Sequence, residues 1–214
     1  SGGWCDYMVE LEFFKSMPEG IRKDAWFLTK VTMTGQERNP ETGRYPLLNW
    51  DDPATNQKHP YWKKNIESSD WVFNYDDGYY ETKGISSASG KTRMIFRYAD
   101  ILLLYAEAVA YGTKSIDDLA FDCMWRVQER AGVPLISKDV TKEYFQKAVL
   151  DERRWETAGM EHSCMGRFFT MQRHEILHLQ KNYRDAAELS LNPNLTLSEE
   201  FYYFPIPDNE LLIV

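Results

Sequence analysis

His174-Glu175-Ile176-Leu177-His178 is a literal HExxH pentapeptide. On a helix, histidines four apart share a face and can bind zinc, while the intervening glutamate polarises a bound water. Glu199 or Glu200 is a candidate third ligand. Against this reading, Gln180 stands where such zinc proteases usually keep an apolar residue, and no Gly and His follow at metzincin spacing. A second pair, Glu152 and Glu156, sets two carboxylates one helical turn apart, as a glycosidase could use. Arg153 and Arg154 stand beside them, and arginine holds both carboxylates ionised when one must be protonated. Ion pairing is therefore the favoured role of that pair. Asn74-Tyr75-Asp76-Asp77-Gly78 is acidic, but it lacks the alternating ligand positions and closing Glu of a calcium loop and reads as a turn. His59 reads as an ordinary surface histidine, and His162 carries no partner signal.

From Tyr45 to Tyr80 the chain carries nine aromatic residues in 36 positions, against 14% over the whole sequence. Polar residues and prolines surround them, without helical or alternating spacing. A segment of this kind is either a small satellite core or an exposed binding platform. Flat aromatic faces pack on the apolar faces of sugar rings, while Asp, Asn and Gln neighbours hydrogen-bond hydroxyls.

The elements that must position these groups are mostly helical. Arg93–Tyr111 has no Gly or Pro and is rich in Leu and Ala, which predicts a helix. Arg93, Arg97, Asp100 and Glu107 fall on one charged stripe, and Ala99, Ala106 and Ala110 mark a second where a neighbouring helix can approach closely. Arg97 can reach Asp100 one turn on. With nearly every other position apolar or small, this helix is expected to be covered over most of its circumference.

Further helices are predicted over 117–131, capped through Ser115 and Asp118 and ended by Gly132 and Pro134, then over 141–158, stopped by Gly159, and over 167–181. Residues 25–34 read as a strand, Asn39–Gly43 as a turn and 45–50 as a returning strand. Ser86–Gly90 reads as the internal boundary, and from Asn192 the chain becomes extended, with Pro205 and Pro207 excluding a helix. The fold class is mostly α: a tetratricopeptide-like helical stack with an irregular, loop-rich lobe containing a small β-hairpin. The expected organisation is an aromatic-rich lobe over 1–90, a helical core over 91–181 and an extended tail over 182–214 packed on the helices. Two helical pairs are fewer than the roughly three units a free-standing stack needs.

Composition narrows the function classes. A net charge of −8, without a basic patch, argues against a nucleic-acid partner. No apolar run is long enough to span a bilayer. Cys5, Cys123 and Cys164 lack the spacing of a disulfide framework or zinc site.

Three segments carry a resemblance to the SusD/RagB family. Arg97–Ala108 resembles its most recognisable helix, with one extra Leu. Val149–Glu156 is similar to its Glu-Arg-Arg-x-Glu helix, and Phe204–Glu210 to its closing Pro-Ile-Pro-x-x-Glu. They occur in the family's order and span residues 97–210, which suggests the C-terminal part of a member. One departure is Thr170, where members usually carry aspartate.

The resemblance implies a surface-exposed outer-membrane lipoprotein that binds oligosaccharide or another nutrient and delivers it to a SusC-like TonB-dependent transporter. It implies no enzymatic activity and no cofactor, and membrane attachment only through an N-terminal lipid anchor outside this sequence. On this reading Trp50, Trp62, Trp71 and Tyr75 are the ring platforms, with Asp51 and Asn74 as hydroxyl partners. A zinc-dependent hydrolase and a helical interaction scaffold without a small ligand are the alternatives.

Overall fold

The computed structural model of the chain describes residues 9–55, 58–63, 71–74, 79–82, 95–159, 167–179, 184 and 186–191. Tyr75–Gly78, Ser86–Gly90, Cys5, His162, Cys164 and the tail from Asn192 lie outside them. In chain order the elements are α1 (Leu11–Ser16), α2 (Ile21–Trp26), β1 (Phe27–Leu28), β2 (Lys30–Thr32), β3 (Leu47–Asn49), β4 (Tyr61–Trp62), β5 (Trp71–Phe73) and β6 (Tyr80–Thr82). They are followed by α3 (Tyr98–Tyr111), α4 (Asp118–Ala131), α5 (Lys142–Thr157), α6 (Arg167–Arg173) and α7 (Ala186–Leu191). The protein is mostly α, with three small two-stranded antiparallel sheets, β1–β4, β2–β3 and β5–β6.

The helical core forms where apolar spacing and caps agree. Ala106 and Ala110 of α3 are fully buried, together with Leu103, and they let α3 pack closely on α4 and α5. Met124 and Val127 of α4 and Phe145 and Val149 of α5 complete this core, with Phe121 and Phe145 meeting edge to face at 4.9 Å. Thr141 caps α5 by accepting from the Tyr144 amide at 3.2 Å, and Gly132 closes α4 in a left-handed conformation at φ 70°.

Several boundaries differ from the sequence expectation, each for a local reason. The helix expected from Arg93 starts at Tyr98, because the Asp100 carboxylate accepts the Arg97 backbone N–H at 2.9 Å and fixes Arg97 as the cap. Residues 93 and 94 lie outside the described set. Helix α4 is capped by Asp117, which accepts from Ala120 N at 2.8 Å, in place of the expected Ser115. The strand expected over 25–34 begins only at Phe27, since Ala25 and Trp26 finish α2.

The exposure of α3 also differs. Its packing on α4 and α5 leaves Tyr98, Ile101 and Tyr105 exposed, so the helix is covered on one side and not over most of its circumference.

The helix expected over 167–181 ends at Arg173. The Ile176 amide bonds Met171 O at 2.8 Å and the Glu175 amide bonds Gln172 O at 3.0 Å, with Glu175 left-handed at φ 55°. This is a Schellman closure, which terminates a helix.

A second apolar cluster ties the lobe to the helices. Val9, Phe13, Met17 and Phe27 pack with Ala158 at the end of α5, flanked by Phe14, Trp26, Trp62 and Trp155. Gly159 follows at φ 64°, and a Cβ there would lie 2.9 Å from the Trp62 ring. The absence of a side chain is what lets α5 abut the lobe.

Candidate functional site

The charged residues of α3 meet those of α5 in a buried seam. Glu156 is 1% exposed and accepts from Arg22 at 3.1 Å, Arg97 at 2.9 Å and Arg130 at 2.5 Å. Arg22 also donates to Glu152 at 2.5 Å, and Arg97 to Asp100 at 2.6 Å. Farther along α3, Glu107 pairs with Arg153 at 2.7 Å and accepts from Arg173 at 2.6 Å and His174 at 2.7 Å. The seam thus links α2, α3, α4, α5 and α6.

Buried charges are tolerated only when paired and hydrogen-bonded. Here Glu156 and Glu107 each have three cationic partners, and Glu152 and Asp100 have one each. Burial alone would push Glu107 up, but Arg153, Arg173 and His174 outweigh it and hold the carboxyl below its ordinary range. Burial pushes Glu152 up against the pull of Arg22. At 1% exposure, Glu152 has no access to a substrate, so its raised pKa supplies no acid catalysis. Thr170, the residue that departs from the family pattern, is 1% exposed and accepts from Arg153 at 3.3 Å. A neutral acceptor suffices there because Glu107 already pairs with that arginine.

The HExxH residues do not assemble as a zinc site. The Schellman closure ends the helix at Arg173, just before His174, so His174 and His178 do not occupy successive turns of one helical face. His174 Nε2 instead lies against Glu107, and its ring sits 4.2 Å from that of Tyr111. No group of three or more metal-ligating side chains occurs among the described residues.

The lobe carries an open cleft of about 470 Å³ where two hairpins meet. In the loop joining β2 to β3, the Asn39 side chain accepts from the amides of Glu41 and Thr42, and Gly43 turns the chain at φ 66°. This brings Arg38 and Arg44 to one end of the hairpin. Arg38 clamps Glu81 of β6 with two bonds of 2.5 and 3.1 Å and lies 4.0 Å over the Tyr45 ring. Arg44 lies 4.7 Å over Tyr79, whose hydroxyl donates to Glu81 at 2.9 Å. Burial, and then the bond to Glu81, raise the Tyr79 pKa, while the Arg38 and Tyr79 bonds lower that of Glu81. Thr32 of β2 donates to Tyr80 O at 2.7 Å, fastening the hairpins below the cleft. Lys30 and Glu37 complete its charged lining.

The expected ligand residues are distributed over this lobe. Trp50 is half-buried, edge-on to Phe14 at 5.8 Å, and Trp62 is half-buried against Phe27 at 5.1 Å. Phe14 and Phe27 meet at 5.2 Å, so Trp50 and Trp62 belong to one aromatic cluster. Asp51 is exposed beside it. Trp71 and Asn74 belong to the β5–β6 hairpin, with the Asn74 amide bonded to Tyr79 O at 2.8 Å, and Tyr75 lies outside the described residues. Arg38, Arg44 and Tyr79 escaped sequence reasoning as cleft residues. Arginines six apart across Asn39–Gly43 were the available signal, since a tight turn must bring them together.

The chain belongs to the SusD family, whose pattern matches residues 2–212 and so reaches well before the segments at 97–210. Proteins of this family bind glycans and other nutrients. No curated protein and no solved structure matches the chain. Among the described residues, no helix is long and apolar enough to cross a membrane.

Proposed function

We propose that this chain is a cell-surface capture protein that binds an oligosaccharide and passes it to a SusC-like TonB-dependent transporter in the outer membrane, to which it is tethered as a lipoprotein. The observation that carries the reading is membership of the SusD family over residues 2–212. In this reading the lobe within 1–90 makes the contact, the helices of 91–181 support it, and 182–214 is a packed tail. Trp50 and Trp62 present the ring portions left uncovered, with Trp71 and Tyr75 as further ring contacts and Asp51 and Asn74 as hydroxyl partners. The protein performs no chemistry on its cargo.

Weak, reversible capture is within reach of such a surface. An aromatic contact contributes about 0.5–1.5 kcal/mol beyond its burial, and a Kd of about 1 mM corresponds to only about 4 kcal/mol. Glycan-array screening followed by calorimetry tests the proposal. Saccharide binding by the wild type, weakened in Trp50→Ala and Trp71→Ala, supports it. Because Trp62 also packs on Phe27, Trp62→Ala is informative only alongside its melting curve. No saccharide binding, or binding indifferent to all three changes, overturns the assignment of the lobe. Co-purification of a TonB-dependent transporter with the tagged protein from its native outer membrane tests the delivery step.

A further inference from the structure

Helix α3 turns its charges inward. Asp100 and Glu107 are buried in the seam, and Arg97 reaches in from the cap to Asp100 and Glu156. The outer face consequently has no charged side chain: Tyr98, Ile101, Leu104, Tyr105 and Ala108 recur at three- and four-residue spacing, and all are exposed. The four large ones are 37% to 66% open, and Phe96, 52% open, lies just ahead of the helix. Together they leave on the order of 500 Å² of apolar side chain uncovered. The largest apolar patch on a monomer is usually about 300–600 Å², and patches of this size mark interaction sites.

The size fits one half of a homodimer. A standard interface hides about 800 Å² on each partner, and about 65% of a homodimer interface is apolar. The polar remainder lies on α4, where Asp118, Asp122, Arg126 and Arg130 fall four apart in one exposed row, acid first and base second. The Tyr105 hydroxyl donates to Asp117 at 2.9 Å and Arg126 donates to the Tyr98 hydroxyl at 2.7 Å, so α4 runs antiparallel to α3 and the middle of the row lies about level with the Tyr98–Ile101 turn. A two-fold rotation centred there lays α3 antiparallel on its copy and sets the acidic end of each row against the basic end of the other. The sequence from Asn192 is also apolar, but its charged side chains, Glu199, Glu200, Asp208 and Glu210, are all acidic and complement only one end of the row. We infer that the outer face of α3 docks a second copy of this chain in an antiparallel two-fold dimer centred near Ile101.

Sedimentation equilibrium on the intact chain tests this. The wild type is expected to reach twice the 25.2 kDa of one chain, with a Kd in the micromolar range or below, as interfaces of this size show. Ile101→Glu puts two like charges at the centre of the interface and should weaken association at least about tenfold, with the far-UV dichroism unchanged because the site is exposed in one chain. Leu104→Gln is the second variant, uncharged, and should weaken it in the same direction. Asp122 and Arg126 pair within α4 at 4.0 Å, and exchanging them keeps that pair. Asp122→Arg and Arg126→Asp should each weaken the dimer, and the double exchange should restore it.

A wild type that stays monomeric throughout overturns the inference, and the face is then covered from within the chain or by a different partner. A dimer indifferent to both Ile101→Glu and Leu104→Gln also overturns it, since its interface lies elsewhere. Failure of the double exchange to restore association rules out the antiparallel arrangement and overturns it as well. None of these results bears on saccharide capture by the lobe.

Discussion

Replacing Glu156 with glutamine keeps the shape of the side chain and removes the charge at the centre of the buried seam. Its carboxylate accepts from Arg22 at 3.1 Å, Arg97 at 2.9 Å and Arg130 at 2.5 Å while 1% exposed. Charge-assisted hydrogen bonds are worth about 1.5–3 kcal/mol each, but these three do not add. Arg22 keeps Glu152 and Arg97 keeps Asp100. The Arg130 side chain is 60% exposed, so its pair is largely screened and contributes under about 1 kcal/mol. Breaking a buried pair from one side costs about 3–5 kcal/mol when the partner charge is left uncompensated. Because Arg22 and Arg97 each keep a carboxylate, the expected loss for Glu156→Gln is smaller, about 2–3 kcal/mol, the scale of one charge-assisted hydrogen bond. In a chain of this size it lowers Tm by about 4–12 °C. Urea and thermal unfolding measure it, with Arg130→Ala as the exposed-partner comparison at under about 1 kcal/mol. A Glu156→Gln protein within about 1 kcal/mol of wild type would refute the view that the seam braces the helices.

Three further outcomes follow from the same structure. Glu107 has a depressed carboxyl pKa in the fold, so its contribution to stability is present above the unfolded carboxylate pKa and is lost as pH falls through the folded value. Acid unfolding of wild type should therefore be steeper below about pH 4.3 than that of Glu107→Gln, and parallel curves would contradict the pairing. Gly159→Ala places a methyl 2.9 Å from the Trp62 ring at φ 64° and should cost at least about 1 kcal/mol while shifting Trp62 fluorescence; an unchanged emission and midpoint would remove Gly159 from the lobe contact. Asp117→Ala deletes the α4 cap and the acceptor of the Tyr105 hydroxyl, for about 1 kcal/mol by urea midpoint, whereas Ser115→Ala should be neutral.

The helical scaffold was largely legible because its signals are local. Ala106 and Ala110 marked the close-packed face of α3, Arg97 could be placed opposite Asp100, and Thr141 and Gly132 bounded α5 and α4 as their types predict. Boundaries failed where a side chain competed with propensity. Asp100 caps Arg97 and shortens α3, and Glu175 accepts a left-handed conformation that sequence assigns to glycine or asparagine. That single residue decides the HExxH segment. The pattern presumes a continuing helix, and the chain stops one.

The lobe was legible in composition but not in arrangement. Nine aromatics between Tyr45 and Tyr80 announced a specialised segment, yet which rings pack and which stay open depends on contacts far apart in sequence. Trp62 rests on Phe27 and Gly159, and Tyr79 lies under Arg44 and beside Glu81. No spacing rule connects Arg38 to Glu81 across 43 positions. The same holds for the seam: Glu152 and Glu156 could be assigned to ion pairing from their arginine neighbours, but the main partner, Arg22, comes from a helix 130 residues earlier.

The indole N–H resonances of the isotope-labelled protein, followed while an oligosaccharide that binds is titrated in, test the central claim most directly. If the lobe captures the ligand, the signals of Trp50, Trp62 and Trp71 shift with the binding isotherm, while Trp125 and Trp155, held in the helical core and at its seam, stay in place. Shifts confined to Trp125 and Trp155, with the lobe tryptophans unmoved at saturation, would contradict the account.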